Sequence, residues 1–157
     1  MFDIREDDLS GEPVRELLNL HLAEMHQNTP PGHVHALDRS GLRAPNITVW
    51  SAWDGSALVG IAALKIHDDA TGELKSMRTH PAHLLKGVGS ALLEHIIHEA
   101  RRRGLRRLGL ETGRGPAFEP ALALYRRYDF ADGDVFADHR RSEFSRFLHL
   151  DLGNSSR

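Results

Sequence analysis

The sequence predicts an α/β domain over residues 1–157, a mixed sheet covered by helices. Three observations carry that class. Two β-rich runs flank the turn signal Asp54-Gly55, and two stretches repeat apolar residues at helical spacing. The elements alternate along the chain as β-α-(α)-β-β-β-α-β-α-β. A chain of 157 residues buries roughly 70% of its unfolded surface and needs no covalent staples.

Phe2–Asp7 alternates apolar and polar residues as a short strand does. Val14, Leu17, Leu18, His21, Leu22 and Met25 then share one helical face, with Ser10 placed to cap the helix and Pro13 suited to its first turn. "NTPPGH" (Asn28–His33) stops it, and a long loop with a short helix after Asp38 runs to Pro45. Ile47–Trp53 and Ala57–His67 form a hairpin on Asp54-Gly55. "DDATG" turns the chain into a strand over Glu73–Thr79. Val88, Leu92, Leu93, Ile96, Ile97 and Ala100 make the stripe of a long helix that ends at Arg101–Arg103, with Gly104 as its stop. Leu105–Thr112 reads as a strand, Pro120–Tyr128 as a helix, and Phe147–Leu152 as the clearest strand of the tail.

Composition excludes several classes. With 20 Lys+Arg against 22 Asp+Glu, the formal charge of −2 does not suit a general nucleic-acid binder. The basic run "RRRGLRR" (Arg101–Arg107) reads as a solvated helix end, where cations meet the negative pole of the dipole. There is no cysteine, so disulfides, thiolate metal sites and a cysteine nucleophile are out. The acidic N-terminus does not resemble a signal peptide, and no apolar run approaches the ~20 residues of a membrane span. The expectation is a cytoplasmic protein with no membrane or nucleic-acid partner.

The chemistry gathers in "HPAHLLKGVGSALLEHI". A dinucleotide fingerprint would need glycine where Leu92 stands, and a P-loop would need Gly-Lys-Ser/Thr where Gly89-Ser90-Ala91 stands. What remains is strand, loop and helix N-terminus, an arrangement that binds pyrophosphate through main-chain N–H groups. On spacing alone Gly87 and Gly89 either serve that purpose or merely ease a turn.

From Ile47 to Phe130 the order strand, "HPAHLLKGVGSALL", long helix, strand, "ALALYRRYDF" resembles the GNAT superfamily of acetyl-CoA-dependent N-acetyltransferases. "GELKSMRTHPAHL" and "LETG" are similar to bacterial acetyltransferases of the YsnE-like kind. The resemblance implies a mostly antiparallel central sheet with helices on both faces. It also implies acetyl-CoA as co-substrate, no metal, and direct acetyl transfer to an amine in a ternary complex. Four positions depart from the family pattern. Leu84 and Leu85 replace Arg/Gln and often Gly, Asp129 replaces a turn glycine, and Phe118 stands where asparagine is common.

Carried over residue by residue, the resemblance assigns pyrophosphate to the loop Leu84, Leu85, Lys86, Gly87, Val88, Gly89 and Ser90. It assigns the thioester carbonyl and pantetheine arm to the strand end Met77, Arg78 and Thr79. Tyr125 becomes the acid for the departing thiolate, with Tyr128 the weaker alternative. Two carboxylates compete for the base: Glu73, spaced from Gly-x-Gly as the glutamate of the histone-acetylating branch is, and Glu111, set in an apolar strand where an unpaired carboxylate is costly. His33 and His35 lie in the long loop where the superfamily builds its acceptor pocket. His95 and His98 fall on the polar side of their helix and read as solvated. A small-molecule amine is the expected acceptor, and a homodimer is compatible with the reading. A protein acetyltransferase and a non-catalytic acyl-CoA sensor are the rival functions.

Overall fold

The computed structural model describes residues 2–30, 39–137 and 139–153. Among these, seven strands form one sheet: β1 (Asp3–Glu6), β2 (Ile47–Asp54), β3 (Ala57–Ile66), β4 (Thr71–Thr79), β5 (Arg107–Thr112), β6 (Ala131–Asp132) and β7 (Arg146–Asp151). The spatial order is β1-β2-β3-β4-β5-β7-β6, and every neighbouring pair except β4–β5 runs antiparallel. The helices are α1 (Glu12–Asn28), α2 (Arg39–Leu42), α3 (Val88–Arg102) and α4 (Glu119–Arg127). The mixed, mostly antiparallel sheet anticipated from the sequence is present, with helices on both faces.

Alternation along the strands divides the core in two. On one face Leu92, Leu93 and Ile96 of α3 and Leu122 of α4 pack on Val59, Ala62, Leu64, Leu108, Leu110 and Leu148. On the other, Val14, Leu17 and Leu18 of α1 and Leu42 of α2 pack on Val49, Ile61 and Ala63. Each fully buried Leu or Ile contributes ~1.5–3 kcal/mol of transfer free energy, so the two layers of side chains hold the helices in place.

The single parallel pair sets the geometry of the site. Parallel neighbours need a crossover, and α3 supplies it. The ladder is short: Thr71↔Arg107, Gly72↔Leu108 and Glu73↔Gly109 pair, after which β4 and β5 part. Beyond Glu73, β4 stays paired with β3, but its register slips between Ile61 and Ala63, and Ser76 adopts φ +52°. A non-glycine residue in that region costs ~1–3 kcal/mol and marks a bulge that re-aims the strand.

Several local expectations are corrected. Ser10 does not cap α1: the N-cap is Gly11, with no side-chain cap bond, and Ser10 Oγ donates to Asp8 Oδ1 at 2.6 Å. β4 begins at Thr71 rather than Glu73, because Thr71 and Gly72 join the β5 ladder instead of a turn. β5 begins at Arg107 rather than Leu105, since Leu105 N bonds the last turn of α3 at Ala100 O. His95 is half-buried rather than solvated: it sits edge-on to Trp50 at 5.3 Å, and burial lowers its pKa, while His98 is exposed as expected. The basic run is partly tied down, with Arg102 and Arg103 both donating to Glu99 and Arg103 also reaching Thr48 and the Trp50 ring. Gly104 does stop α3, at φ +81°.

Gly60 lets α3 lie close to the sheet. A Cβ there would stand 2.7 Å from Val88 Cγ1, 2.9 Å from Leu92 Cδ1 and 3.0 Å from Arg78 O. Gly60→Ala therefore has to push the first turn of α3 away from β3 and β4. We expect a loss of ~1–3 kcal/mol in urea unfolding, the usual cost of overpacking, with a weaker thermal shift on adding acetyl-CoA. A variant as stable as wild type would show that the approach is not tight.

Candidate active site

Where β4 and β5 part, a cleft of ≈ 740 Å³ opens between them and runs to the N-terminus of α3. Glu73, Met77, Arg78, Thr79, Leu84, Leu85, Gly87, Val88, Gly89, Ser90, Glu111 and Tyr125 all line it. Of the other residues singled out from the sequence, Lys86 does not line it, and its Nζ lies 3.4 Å from His83 Nδ1. His33 and His35 lie outside the described residues.

The α3 end of the cleft is built from main chain. Gly87 takes φ +84° as N-cap, Leu85 takes φ +63°, and the first intrahelical bond runs from Ala91 N to Gly87 O at 3.0 Å. The N–H groups of Val88, Gly89 and Ser90 therefore have no intrahelical acceptor, which makes this end a binding place for an anion. Leu84 and Leu85 project from the preceding loop as the large apolar side chains most exposed to solvent, at 58% and 104%. Among the described residues the β4 edge opposite β3 carries no strand partner beyond Glu73, so its main-chain groups face the cleft. Phe118 lines the wall across from it, edge-on to Phe144 at 5.6 Å, and both rings close over Gly113.

Tyr125 lies at the cleft on the α3/α4 face, 8% exposed and packed 5.9 Å from Phe130. Burial pushes its phenol up to about 12, so it holds its proton at neutral pH. Tyr128 instead donates to Glu94 on the neighbouring helix. Leu108 and Leu110 share Tyr125's face; Gly109 and Glu111 therefore belong to the opposite face, as does Glu73, the partner of Gly109.

On that opposite face Glu73 is the centre of a bonded chain. Its Oε1 meets His67 Nε2 at 2.7 Å, and its Oε2 meets His139 Nε2 at 2.9 Å and Lys75 Nζ at 3.3 Å. His139 Nδ1 lies 3.4 Å from Glu111 Oε1, and Ser145 Oγ donates to Glu111 Oε2 at 2.8 Å. Burial alone would raise the Glu73 carboxyl, but the His139 hydrogen bond, the Lys75 ammonium and the His67 hydrogen bond outweigh it and hold it at about 2. In return the Glu73 hydrogen bond raises the pKa of His139 against the pull of burial. Phe136 closes the cluster, edge-on to His67 and His139 at 5.9 and 5.3 Å. These side chains bond one another directly, and among the described residues no three His, Cys, Asp or Glu are grouped to hold a metal ion.

Sequence reasoning missed His67, Lys75, His139 and Ser145. Lys75 had a signal, two residues after Glu73 on the same strand face. His67, His139 and Ser145 are brought in by strand pairing and an irregular segment, and nothing in their local sequence marks them. A third wall was missed as well: His21, Glu24, Met25, Asn28 and Thr29 of α1 and its C-cap line the cleft together with Ser76 and Arg78 of β4, and Glu24 meets Arg78 directly.

Comparison with known proteins matches this arrangement. Residues 14–130 fit the acetyltransferase (GNAT) family. The chain belongs to that family. It is 49% identical over 152 residues to the uncharacterized N-acetyltransferase YedL of Escherichia coli K12, covering 97% of this chain and 96% of YedL. It is 48% identical over 145 residues to the uncharacterized N-acetyltransferase YsnE of Bacillus subtilis 168, covering 92% and 96%. Two solved structures share the fold. A Klebsiella pneumoniae protein proposed as an acyl-CoA N-acyltransferase superposes with TM-score 0.78 at 22% identity, over 97% of this chain and 98% of that one. A Bacillus subtilis acetyltransferase in complex with CoA superposes with TM-score 0.71 at 20% identity, over 96% and 99%. The protein is thus a GNAT-family, acetyl-CoA-dependent N-acetyltransferase.

The carboxylate chain makes a pH prediction of definite sign. Glu73 titrates near 4.5 when unfolded and at about 2 when folded, so its contribution to stability is full above pH ~4.5 and fades as pH falls towards 2. Glu73→Gln should flatten the acid limb of thermal stability in that window. It should also lower the His139 pKa, read by NMR titration of the imidazole. An unmoved His139 titration in a folded variant would mean that Glu73 does not set its charge.

Proposed function

We propose that residues 1–157 act as a single N-acetyltransferase domain. It transfers acetyl from acetyl-CoA to a small-molecule amine by direct attack within a ternary complex. The observation that carries this reading is the parted β4–β5 pair, with Tyr125 on one face of the gap and Glu73 and Glu111 on the other. A thioester placed in that gap meets the acid from one side and the amine, with its base, from the other. A cleft of ≈ 740 Å³ falls within the ~300–1,000 Å³ of small-molecule sites, leaving modest room for an acceptor beside the acyl-pantetheine arm.

Acetyl-CoA fits the residues present. The unpaired β4 edge around Met77–Thr79 can pair with the amides of the pantetheine arm as an added strand. The free N–H groups of Val88–Ser90 and the positive end of α3 suit the pyrophosphate, and they do so without the arginine or glutamine that Leu84 replaces. A main-chain N–H of the bulged segment at Ser76–Arg78 would hold the carbonyl oxygen as it becomes an oxyanion.

In the reaction the amine nitrogen bonds to the thioester carbon, and the C–S bond breaks as the oxyanion collapses. The thiolate takes its proton from Tyr125. A phenol at about 12 is a weak acid towards a thiol of ~8.5, but the same burial that raises the phenol also raises the thiolate, which narrows the gap. An amine of pKa ~10 arrives charged and must lose a proton. Glu73, held at about 2, keeps a proton poorly. Its role here is to remain an anion that stabilises the ammonium formed on attack, while the two amine protons, one lost before attack and one after, leave through water at Glu111; one is released and solvent returns the other to the Tyr125 phenolate. This revises the preference for Glu73 as base that spacing alone suggested.

Three variants test the reading. Tyr125→Phe keeps the ring and its packing but removes the proton, so kcat should fall by ~10²–10⁴ with acetyl-CoA affinity unchanged. A kinetically silent Phe would make Tyr125 a core residue only. Glu111→Gln should lower kcat/KM most at low pH, where few amines are neutral, and least for amines of low pKa. Gly89→Glu places a carboxylate at the first turn of α3, and its Cβ would already stand 3.0 Å from Leu124 Cδ2. It should abolish the thermal shift given by acetyl-CoA, and an unaltered shift would move the pyrophosphate elsewhere.

A further inference from the structure

Among the described residues, four buried side-chain polar atoms have no hydrogen-bond partner, and three of them belong to residues lining the cleft: His21 Nδ1, Thr29 Oγ1 and Ser76 Oγ. His21 and Thr29 are 8% and 7% exposed. All three residues lie on the wall between α1 and β4. Burying such groups without partners is costly, and native structures leave few of them. The wall also carries Arg78, whose Nη2 meets Glu24 Oε1 at 2.7 Å; the arginine side chain is 20% exposed and the glutamate 37%. This contact engages one nitrogen of a five-donor fork.

The wall serves the acceptor rather than the cofactor. α1 packs on the face that carries Glu73 and Glu111, whereas Tyr125 and the N-terminus of α3 belong to the other face. The donor chemistry then narrows the ligand. Arg78 only donates; the hydroxyls of Ser76 and Thr29 can donate; and burial keeps His21 neutral, lowered to about 4, so its Nδ1 can carry a hydrogen. An acceptor-only carboxylate suits Arg78 and can also take hydrogens from Ser76 and from His21, which lies within electrostatic reach of Arg78; Thr29, eight residues and ~12 Å of rise along α1 from His21, is too far to share it. Glu24 already shows that Arg78 holds a carboxylate in this place.

Building on the acetyl-transfer reading, we propose that the acceptor is an amine bearing a carboxylate, an amino-acid-like molecule, and that Arg78 with Ser76 and His21 forms the subsite for that carboxylate. Selectivity then comes from the α1–β4 wall, and the amine end is presented to the Glu73–Glu111 side of the gap. Glu24 stays within reach of Arg78 and of a second cationic group on the acceptor.

The test uses matched pairs that differ only in the carboxylate, such as phenylalanine with phenethylamine and β-alanine with ethylamine, with acetyl-CoA saturating and thiol release followed. We expect kcat/KM to favour the carboxylated member by ~10-fold or more, the range of a hydrogen bond to a charged group. Arg78→Gln and, as a variant that removes only a hydroxyl, Ser76→Ala should each pull that ratio towards one. In parallel, N-acetylphenylalanine and N-acetylphenethylamine are titrated calorimetrically into the protein with CoA, and the acid should bind ~10-fold more tightly. Ratios near one in wild type, or ratios that survive both substitutions, overturn the subsite. Failure of every amine to turn over while acetyl-CoA binds would sink the acetyl-transfer reading alone, since the binding ratio would still decide the subsite.

Discussion

The β4–β5 ladder is three residue pairs long, and the rest of the site depends on where it ends. Parallel strands joined by a crossover helix place that helix's N-terminus near the far end of the first strand. Because β4 runs on past Glu73 to Thr79 while β5 turns towards β7, the helix end faces an open gap rather than a closed sheet edge. Gly60 then decides how near α3 can come, since only a residue without Cβ fits between Val88, Leu92 and Arg78 O. One short ladder and one missing side chain thus set both the width of the cleft and the position of its anion-binding end.

An opened sheet exposes polar groups that a closed one would pair, and two parts of one face handle this differently. Around Glu73 every carboxylate is engaged: His67, His139 and Lys75 converge on Glu73, while Ser145 and His139 meet Glu111. Removing one partner from such a chain would leave a buried charge uncompensated, which costs ~3–5 kcal/mol, so these groups hold one another in place. On the α1–β4 wall the opposite holds, and the buried groups of His21, Thr29 and Ser76 are left without protein partners, each at a cost of ~1–3 kcal/mol.

Elements with strong periodicity were legible from the sequence. The apolar stripes of α1 and α3, the Asp54-Gly55 hairpin and the Gly104 stop all appear as expected, because each is decided by local spacing or by a residue whose backbone freedom is needed on the spot. The turn substitution at Asp129 was legible too, and the residue adopts φ +73° where glycine is usual. The assignment of pyrophosphate to the loop before α3 rests on the resemblance, since two glycines do not specify it. The parting of β4 and β5, the bulge at Ser76 and the reach of His139 to Glu73 were not legible. They arise from pairing between segments 12 to 66 residues apart, and neither propensity nor period carries that information. The Ser10 cap failed for a related reason: Asp8, two residues away, captured the hydroxyl before the helix could.

The contrast between the two walls separates invariant from variable chemistry. Acetyl transfer always needs an anion near the forming ammonium and a proton donor near the thiolate, whatever amine is used. Those groups can therefore be fixed by the protein's own partners; in the function proposed above they are Glu73 and Tyr125, one held by hydrogen bonds and the other by burial. An acceptor's identity resides in atoms the protein does not contain. A recognition wall built for them must hold donors in readiness, at a cost in stability that the ligand repays on binding. By that reasoning the strained φ of Ser76 and the unpartnered imidazole of His21 have a common origin. Both lie where the fold gives up local satisfaction to keep a place for the acceptor.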